Sequence, residues 1–382
     1  MGNDTLEENR NRHGGILRQA GSATTGGLTD AIEGTLADFL AAQIAGLDAL
    51  DPALGGFART TRDLVLAGGK RLRPTFAYWG WRAVGRPGAP LDEVLPALAA
   101  LELMHTFALV HDDVMDNSDT RRGRPTAHRV FAAQHERAGR LGPAGHFGTS
   151  SAILVGDLCL VWADQLMART PLPSATLFAV RACYDRMRVE AVAGQYLDVL
   201  GETEPAAWSL ERALLVARHK TASYTVQRPL QLGLALAGST LPAVGAAFGR
   251  YGRAIGEAFQ LRDDLLGAFG DPAITGKPAG DDLRAGKPTA LLMLARRLAS
   301  PAQRAVLAPD TAGAVNPADG SGGPSPAELA ELIRATGAPE RLEEMIRERV
   351  TDGVAALAEA PIQPDALDAL TELAIRATRR PA

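Results

Sequence analysis

Helical spacing of apolar residues runs through nearly the whole chain, and alternating apolar–polar stretches are hard to find. Ala97, Leu101, Met104 and Ala108 follow i, i+4, i+7, i+11, the stripe of one helix face. Alanine, leucine and arginine dominate, and all three favour helix. The spacing predicts helices over about 30–50, 57–67, 72–84, 91–117, 126–139, 149–168, 173–200, 208–219, 221–237, 240–268, 287–299, 326–335, 338–359 and 364–379. Breaks fall at 85–90, 139–148, 269–282 and 309–326, the last rich in Gly, Pro, Ser and Asp. Only about 55 residues follow it, so 309–326 is expected to be a surface insertion. Residues 1–28 read as a mobile polar leader and 29–382 as one domain. No repeat of fixed period occurs. These features predict an all-α fold, a single large helical bundle.

The chain has 382 residues, enough for one large domain or two ordinary ones. Its 46% apolar and 22% charged content suits a soluble globular protein. A net charge of −4 gives no reason to expect nucleic acid or an anionic membrane as the main partner. Cys159 and Cys183 have neither zinc nor disulfide-framework spacing, and a reducing cytoplasm is the default. The N-terminus lacks a secretory h-region, and no apolar run is expected to reach membrane-spanning length.

The segment LVHDDVMDNSDTRRGRPTAH (109–128) crowds Asp112, Asp113 and Asp116 behind an apolar run. On a helix, Asp112 and Asp116 share a face, and their repulsion costs stability unless something relieves it. Mg²⁺ would relieve it: it takes oxygen ligands and is held by one or two carboxylates plus substrate phosphate. A solvated acidic helix end would read the same way. A second acidic pair, Asp263 and Asp264, ends the stretch GEAFQLRDDLLGAFGD (256–271), with Gln260 one turn before Asp264. The position completing a second DDxxD is Gly267, and Asp271 lies in a GDP turn. Two such helices can face one another across a cavity and clamp metals from both sides. Basic clusters recur beside them: Lys70, Arg71 and Arg73 in GGKRLRP, Arg121 and Arg122 in TRRG, Lys220 with Thr221 in HKT, and Lys277 and Lys287 in TGKPAGDDLRAGKPT. Arginine suits phosphate bidentately and lysine adds a point charge. Each cluster alone is most simply a solvated face. His105 lies two turns before Asp112 on nearly the same face, and no HExxH or comparable zinc spacing occurs.

In their order and rough spacing, these motifs together with GQYLD (194–198) resemble the trans-isoprenyl diphosphate synthases, or polyprenyl synthetases, most closely those making geranylgeranyl diphosphate. The resemblance is strong over about 30–300 and weak beyond. It implies a helical bundle around a central cavity, usually in a homodimer, and head-to-tail condensation of isopentenyl diphosphate with an allylic diphosphate. By resemblance, Asp112, Asp116 and Asp263 would hold Mg²⁺ on the allylic diphosphate. Arg121, Lys220, Gln260, Lys277 and Lys287 would contact that diphosphate or its metals. Lys70, Arg73, His105 and Arg122 would bind isopentenyl diphosphate. Thr221 would sit near the reacting carbons, and Gln195 and Asp198 one layer behind. In the family, side chains just before the first aspartate form a floor for the growing tail. Here these are Ala108, one turn before Asp112 on its face, and Phe107, about 7.5 Å down the axis and to the side of that stripe. The pair suggests geranylgeranyl diphosphate, with farnesyl diphosphate the runner-up. Rival classes are a class I terpene cyclase, which uses one diphosphate and an NSE-type metal motif, and a silent regulatory subunit, which would have lost its acidic motifs.

Overall fold

A computed structural model describes residues 4–86, 88–270, 280–284, 286–308 and 324–379, with the backbone alone for 4–25. Lys277, Asp271 and most of the expected insertion at 309–326 lie outside the described residues.

The chain is almost wholly helical. In order, α1 is Asp4–Asp48, α2 Pro52–Val65, α3 Leu72–Arg82, α4 Leu95–Met115, α5 Ala127–Arg137, α6 Ala144–Ala168 and α7 Ser174–Thr203. Then follow α8 Leu210–Val216, a π-helix at Ala217–Gln227, α9 Arg228–Leu236, α10 Pro242–Phe269, α11 Asp281–Arg284, α12 Ala290–Leu298, α13 Pro301–Val306, α14 Pro326–Ala335, α15 Ala338–Ala358 and α16 Pro364–Thr378. Among the described residues the strands are β1 Thr120–Arg121 and β2 Arg124–Pro125, one antiparallel hairpin. α1 thus runs back through the stretch expected to be a polar leader; Leu28, Ile32, Leu36 and Leu40 form its buried stripe.

Local chemistry explains the boundaries. Asp51 caps α2 by accepting from the Ala53 amide, with Pro52 in the first turn. Ser300–Gln303 and Ser325–Glu328 form capping boxes on α13 and α14. The break expected near residue 220 is a change of winding instead: α8, the π-helix and α9 run on without interruption. The π-helix is pressed between two neighbours. A Cβ on Gly194 of α7 would fall 2.2 Å from the Lys220 amide nitrogen, and one on Gly256 of α10 would fall 2.5 Å from the Ala222 Cα. Glycine at both places lets three backbones approach.

α4 is the central helix. Residues 97–104 are buried without interruption, as expected of a helix surrounded on all sides. It packs with α1, α3, α5, α6 and α7 around one apolar core. A second core joins α8, α10, α12, α14 and α15, and a third joins α3, α9, α10 and α16. α6 is long and apolar enough to cross a membrane by length and composition, contrary to expectation; half of its apolar window is buried inside the protein.

One charge is locked into this core. Arg71 stands before α3 in left-handed geometry, φ 46°. Its guanidinium reaches inward to Glu102 of α4 at 2.6 Å and to Glu33 of α1 at 3.1 Å, with Arg71 and Glu102 side chains 4% and 3% exposed. Removing one partner of a buried pair strands the other charge. Glu102→Ala is expected to lower stability by about 3 kcal/mol, read as a fall in the chemical-denaturation midpoint. An unchanged midpoint would contradict a structural role for the pair.

Candidate active site

A cavity of about 1780 Å³ opens among α2, α3, α4, α7, the π-helix and α10. This exceeds the ~300–1,000 Å³ of an ordinary small-molecule pocket and gives room for two substrates.

One wall is acidic. Asp112, Asp113 and Asp116 sit at the C-terminal turn of α4, where the helix dipole already places negative charge. Cations from distant segments offset it. Lys220 of the π-helix lies 2.9 Å from Asp112 Oδ1 and 2.5 Å from Asp198 Oδ2. Lys287 lies 2.7 Å from Asp116 Oδ2 and 3.2 Å from Glu202 Oε1. Arg121 donates to Asp113 at 2.6 Å and to Asp112 at 3.1 Å, and Gln195 Nε2 donates to Asp112 at 3.2 Å. Burial alone would raise the Asp112 carboxyl, but Lys220 and Arg121 hold it well below the usual carboxylate range. Burial would lower the Lys220 ammonium, but Asp112 and Asp198 raise it; Asp116 does the same for Lys287.

Asp263 of α10 lines the same cavity. Asp264 is buried: it accepts from Gln260 Nε2 at 2.9 Å and from the Ala290 amide at 3.0 Å, and burial pushes its carboxyl up to about 7. It therefore anchors the start of α12 to α10. Gln260 lines the cavity but spends its amide on Asp264. The glycine that breaks the second DDxxD has a physical reason. A Cβ at Gly267 would fall 2.2 Å from Asp282 Oδ2, so the space a side chain would need holds the carboxylate of Asp282, which also lines the cavity.

A second group of side chains is cationic. Arg122 and Gly123 occupy the hairpin turn between β1 and β2 with φ 53° and 71°, the left-handed pair of a type I′ turn. This aims Arg122 Nη1 at the Gly68 carbonyl, 2.8 Å away, and locks the hairpin onto the GGK loop. Lys70, Arg73, Arg122 and His105 then line the same cavity. Arg73 is buried; it donates to Thr225 Oγ1 at 2.9 Å and stacks over the Tyr224 ring at 4.1 Å. The Tyr224 hydroxyl lies 3.4 Å from His105 Nδ1. Burial and then Arg73, Arg122, Arg121 and Arg71 push the His105 imidazole well below its ordinary value, so it is neutral.

Thr221, Phe107 and Ala108 also line the cavity. Phe107 reaches it although ideal α4 geometry puts the ring to one side. All the site residues expected from the sequence that the structure describes thus meet in one chamber. Sequence reasoning missed Glu202, Asp282 and Tyr224. Tyr224 carried a signal, four residues beyond Lys220; the other two read as ordinary surface acids.

Among the described residues, no three His, Cys, Asp or Glu side chains converge on one metal position. Asp112, Asp116 and Asp263 offer oxygen donors only, which suits Mg²⁺ completed by phosphate and water rather than a dedicated protein cage.

A sequence model described as polyprenyl synthetase matches residues 56–314. The chain belongs to the polyprenyl synthetase family. It is 34% identical over 313 residues to a geranylgeranyl diphosphate synthase of Mycobacterium tuberculosis, covering 81% of this chain and 80% of that one. It is 33% identical over 233 residues to a short chain isoprenyl diphosphate synthase of Methanocaldococcus jannaschii; that match covers 61% of this chain and 64% of the relative, under two thirds of its length. A crystal structure of geranylgeranyl pyrophosphate synthase from Corynebacterium glutamicum, complexed with isoprenyl diphosphate and magnesium, superposes with TM-score 0.86 at 41% identity. It covers 93% of this chain and 99% of that one. The all-α architecture is the one that these relatives share.

The neutral His105 gives a pH signature. An unfolded chain takes up a proton at this residue near 6.5 and the folded one does so only at lower pH, so the site's contribution to stability is present above that value and is lost as pH falls below it. His105→Gln is expected to flatten the acid limb of stability by about 1.4 kcal/mol per pH unit at most. Denaturation midpoints on either side of that value would read it; an acid limb unchanged in the variant would contradict a neutral His105.

Proposed function

We propose that the chain condenses isopentenyl diphosphate with an allylic diphosphate, head to tail, and that its product is geranylgeranyl diphosphate. The observation that carries the reading is a single chamber with two separate receptors, an acidic wall and a cationic group. Two diphosphates need two receptors; a terpene cyclase, with one diphosphate, has no use for Lys70, Arg73 and Arg122. Retention of the acidic residues speaks against a silent regulatory subunit.

The allylic diphosphate leaves as an anion, and its developing charge must be met by preorganised cations. When bound, Mg²⁺ supplies that neutralisation, and Asp112, Asp116 and Asp263 are the residues that would hold it. Lys220 and Arg121 already stand on Asp112 and Lys287 on Asp116, and they add positive charge beside the leaving group. Lys70, Arg73, Arg122 and the neutral His105 bind the second diphosphate. Arg73 is held by Thr225 and Tyr224, so its fork is aimed before substrate arrives. The isopentenyl double bond attacks the allylic cation, and the departing diphosphate takes the proton then lost, so no protein base is assigned. Apolar walls from the buried Ala191 and Phe259 help exclude the water that would quench the cation.

Phe107 is proposed as the floor that stops the growing tail, with Ala108 leaving room above it; farnesyl diphosphate is the alternative product. A second copy of the chain is the proposed partner. Val189 on α7 and Ile153, Leu154 and Val161 on α6 are exposed apolar side chains, the kind of surface that marks an interface. Both cysteines are free thiols, which suits a reducing cytoplasm.

The test is product analysis with labelled isopentenyl diphosphate, Mg²⁺ and each allylic primer. A twenty-carbon diphosphate is expected, with no turnover when isopentenyl diphosphate or the metal is withheld. A cyclic hydrocarbon formed from the allylic diphosphate alone would overturn the reading. Asp112→Asn is expected to lower kcat by about a hundredfold or more, and Phe107→Ala to lengthen the product; an unchanged length profile would remove Phe107 as the floor.

A further inference from the structure

His111 directly precedes the acidic pair and takes no part in the chemistry above. Its imidazole crosses from α4 to α6. Nε2 lies 2.9 Å from the Ile153 carbonyl oxygen, so Nε2–H donates and the tautomer is set. Asp157 Oδ1 stands 3.8 Å from the same nitrogen. The ring lies against bare backbone at Gly156, where a Cβ would fall 2.1 Å from His111 Nε2 and 2.2 Å from Cδ2. One turn back on α4, Phe107 meets this imidazole edge to face, with centroids 4.9 Å apart and planes at 68°.

Backbone, imidazole and phenyl ring therefore touch in succession from the middle of α6 to the cavity, which both His111 and Phe107 line. The α6 end of this series cannot yield, because the helix backbone is rigid and the imidazole is tied to it. Gly156 sits mid-helix in a 25-residue segment, a position where glycine costs about 1 kcal/mol relative to alanine. The close seat of the imidazole is what that cost provides.

We propose that His111 and Gly156 are specificity-determining positioning residues: they fix the Phe107 ring from behind and thereby set product length. This rests on the reading of Phe107 as the floor. With His111 cut back, the ring can swing toward α6 and the chamber deepens. A methyl group at 156 drives the imidazole toward Phe107 and the chamber shortens. The two changes are coupled, because the methyl at 156 fits once the imidazole is gone.

The experiment compares product-length profiles of Phe107→Ala, His111→Ala, His111→Gln, Gly156→Ala and the His111→Ala/Gly156→Ala double variant, each checked for a cooperative thermal transition. His111→Ala and His111→Gln are expected to raise the share of products beyond the wild-type length by about fivefold, the size of effect implied by releasing a rotamer restraint. Gly156→Ala shifts the profile to shorter products, and the double variant matches His111→Ala, a non-additive cycle. If Phe107→Ala alters length while the His111 and Gly156 variants keep the wild-type profile, the brace is refuted and the floor stands. If Phe107→Ala changes nothing, the floor and the brace fall together. Should Gly156→Ala fail to fold, rescue of folding in the double variant with a long-product profile supports the brace; a long-product profile absent from both His111 single variants overturns it.

Discussion

Like charge gathered at the end of a buried helix is the constraint on which the rest of this structure depends. Asp112, Asp113 and Asp116 close α4 at the end where its own dipole is negative. Nothing within α4 can offset that. The offsetting charges are Arg121 from the following hairpin, Lys220 from the π-helix and Lys287 from the segment before α12. Folding α7, the π-helix and α12 around the tip of α4 is thus also the act of assembling the site. The same carboxylates that need lysines in this arrangement are suited to a hard metal ion carrying a diphosphate.

The opposite receptor is built by backbone geometry. Arg71 and Arg122 both adopt positive φ, a conformation that costs an ordinary side chain energy. In one case the result is a guanidinium buried against Glu102, which pins the GGK loop to α4. In the other it is a guanidinium laid on that loop's carbonyl. Lys70 and Arg73 are left flanking a fixed point, facing the cavity beside His105.

Much of the fold was legible because one period dominates. The α4 stripe and the helical stretches expected over 173–200 and 240–268, which are α7 and α10, all follow from local chemistry. What escaped was whatever the period does not encode. The π-helix looked like a break at residue 220, because a change of winding shifts the register of the apolar stripe just as an interruption would. The hairpin was too short to show alternation; only the Arg122–Gly123 turn marks it. The S-P-A-Q start of α13 was readable, but six residues give too little periodicity to stand out.

The site divides in the same way. Residue type and spacing supplied the candidate groups, carboxylates one turn apart with forks and ammonium groups nearby, and the family resemblance gave them their chemistry and gave Ala108 and Phe107 their expected role. Tertiary structure decided which member of each set does what. Arg71 and Arg73 are near neighbours in one motif, yet Arg71 is tied to Glu102 and Glu33 while Arg73 is held by Thr225 and Tyr224. Asp263 and Asp264 are adjacent and both border the chamber, yet Asp264 is buried and tied to Gln260 and the Ala290 amide, while Gly267 makes room for the carboxylate of Asp282. Burial and direction are properties of packed surroundings, and those surroundings come from segments more than a hundred residues away, as with Lys220 and Asp112. A linear pattern can name the groups that must meet, but only the packing of helices around α4 sets which way each one points.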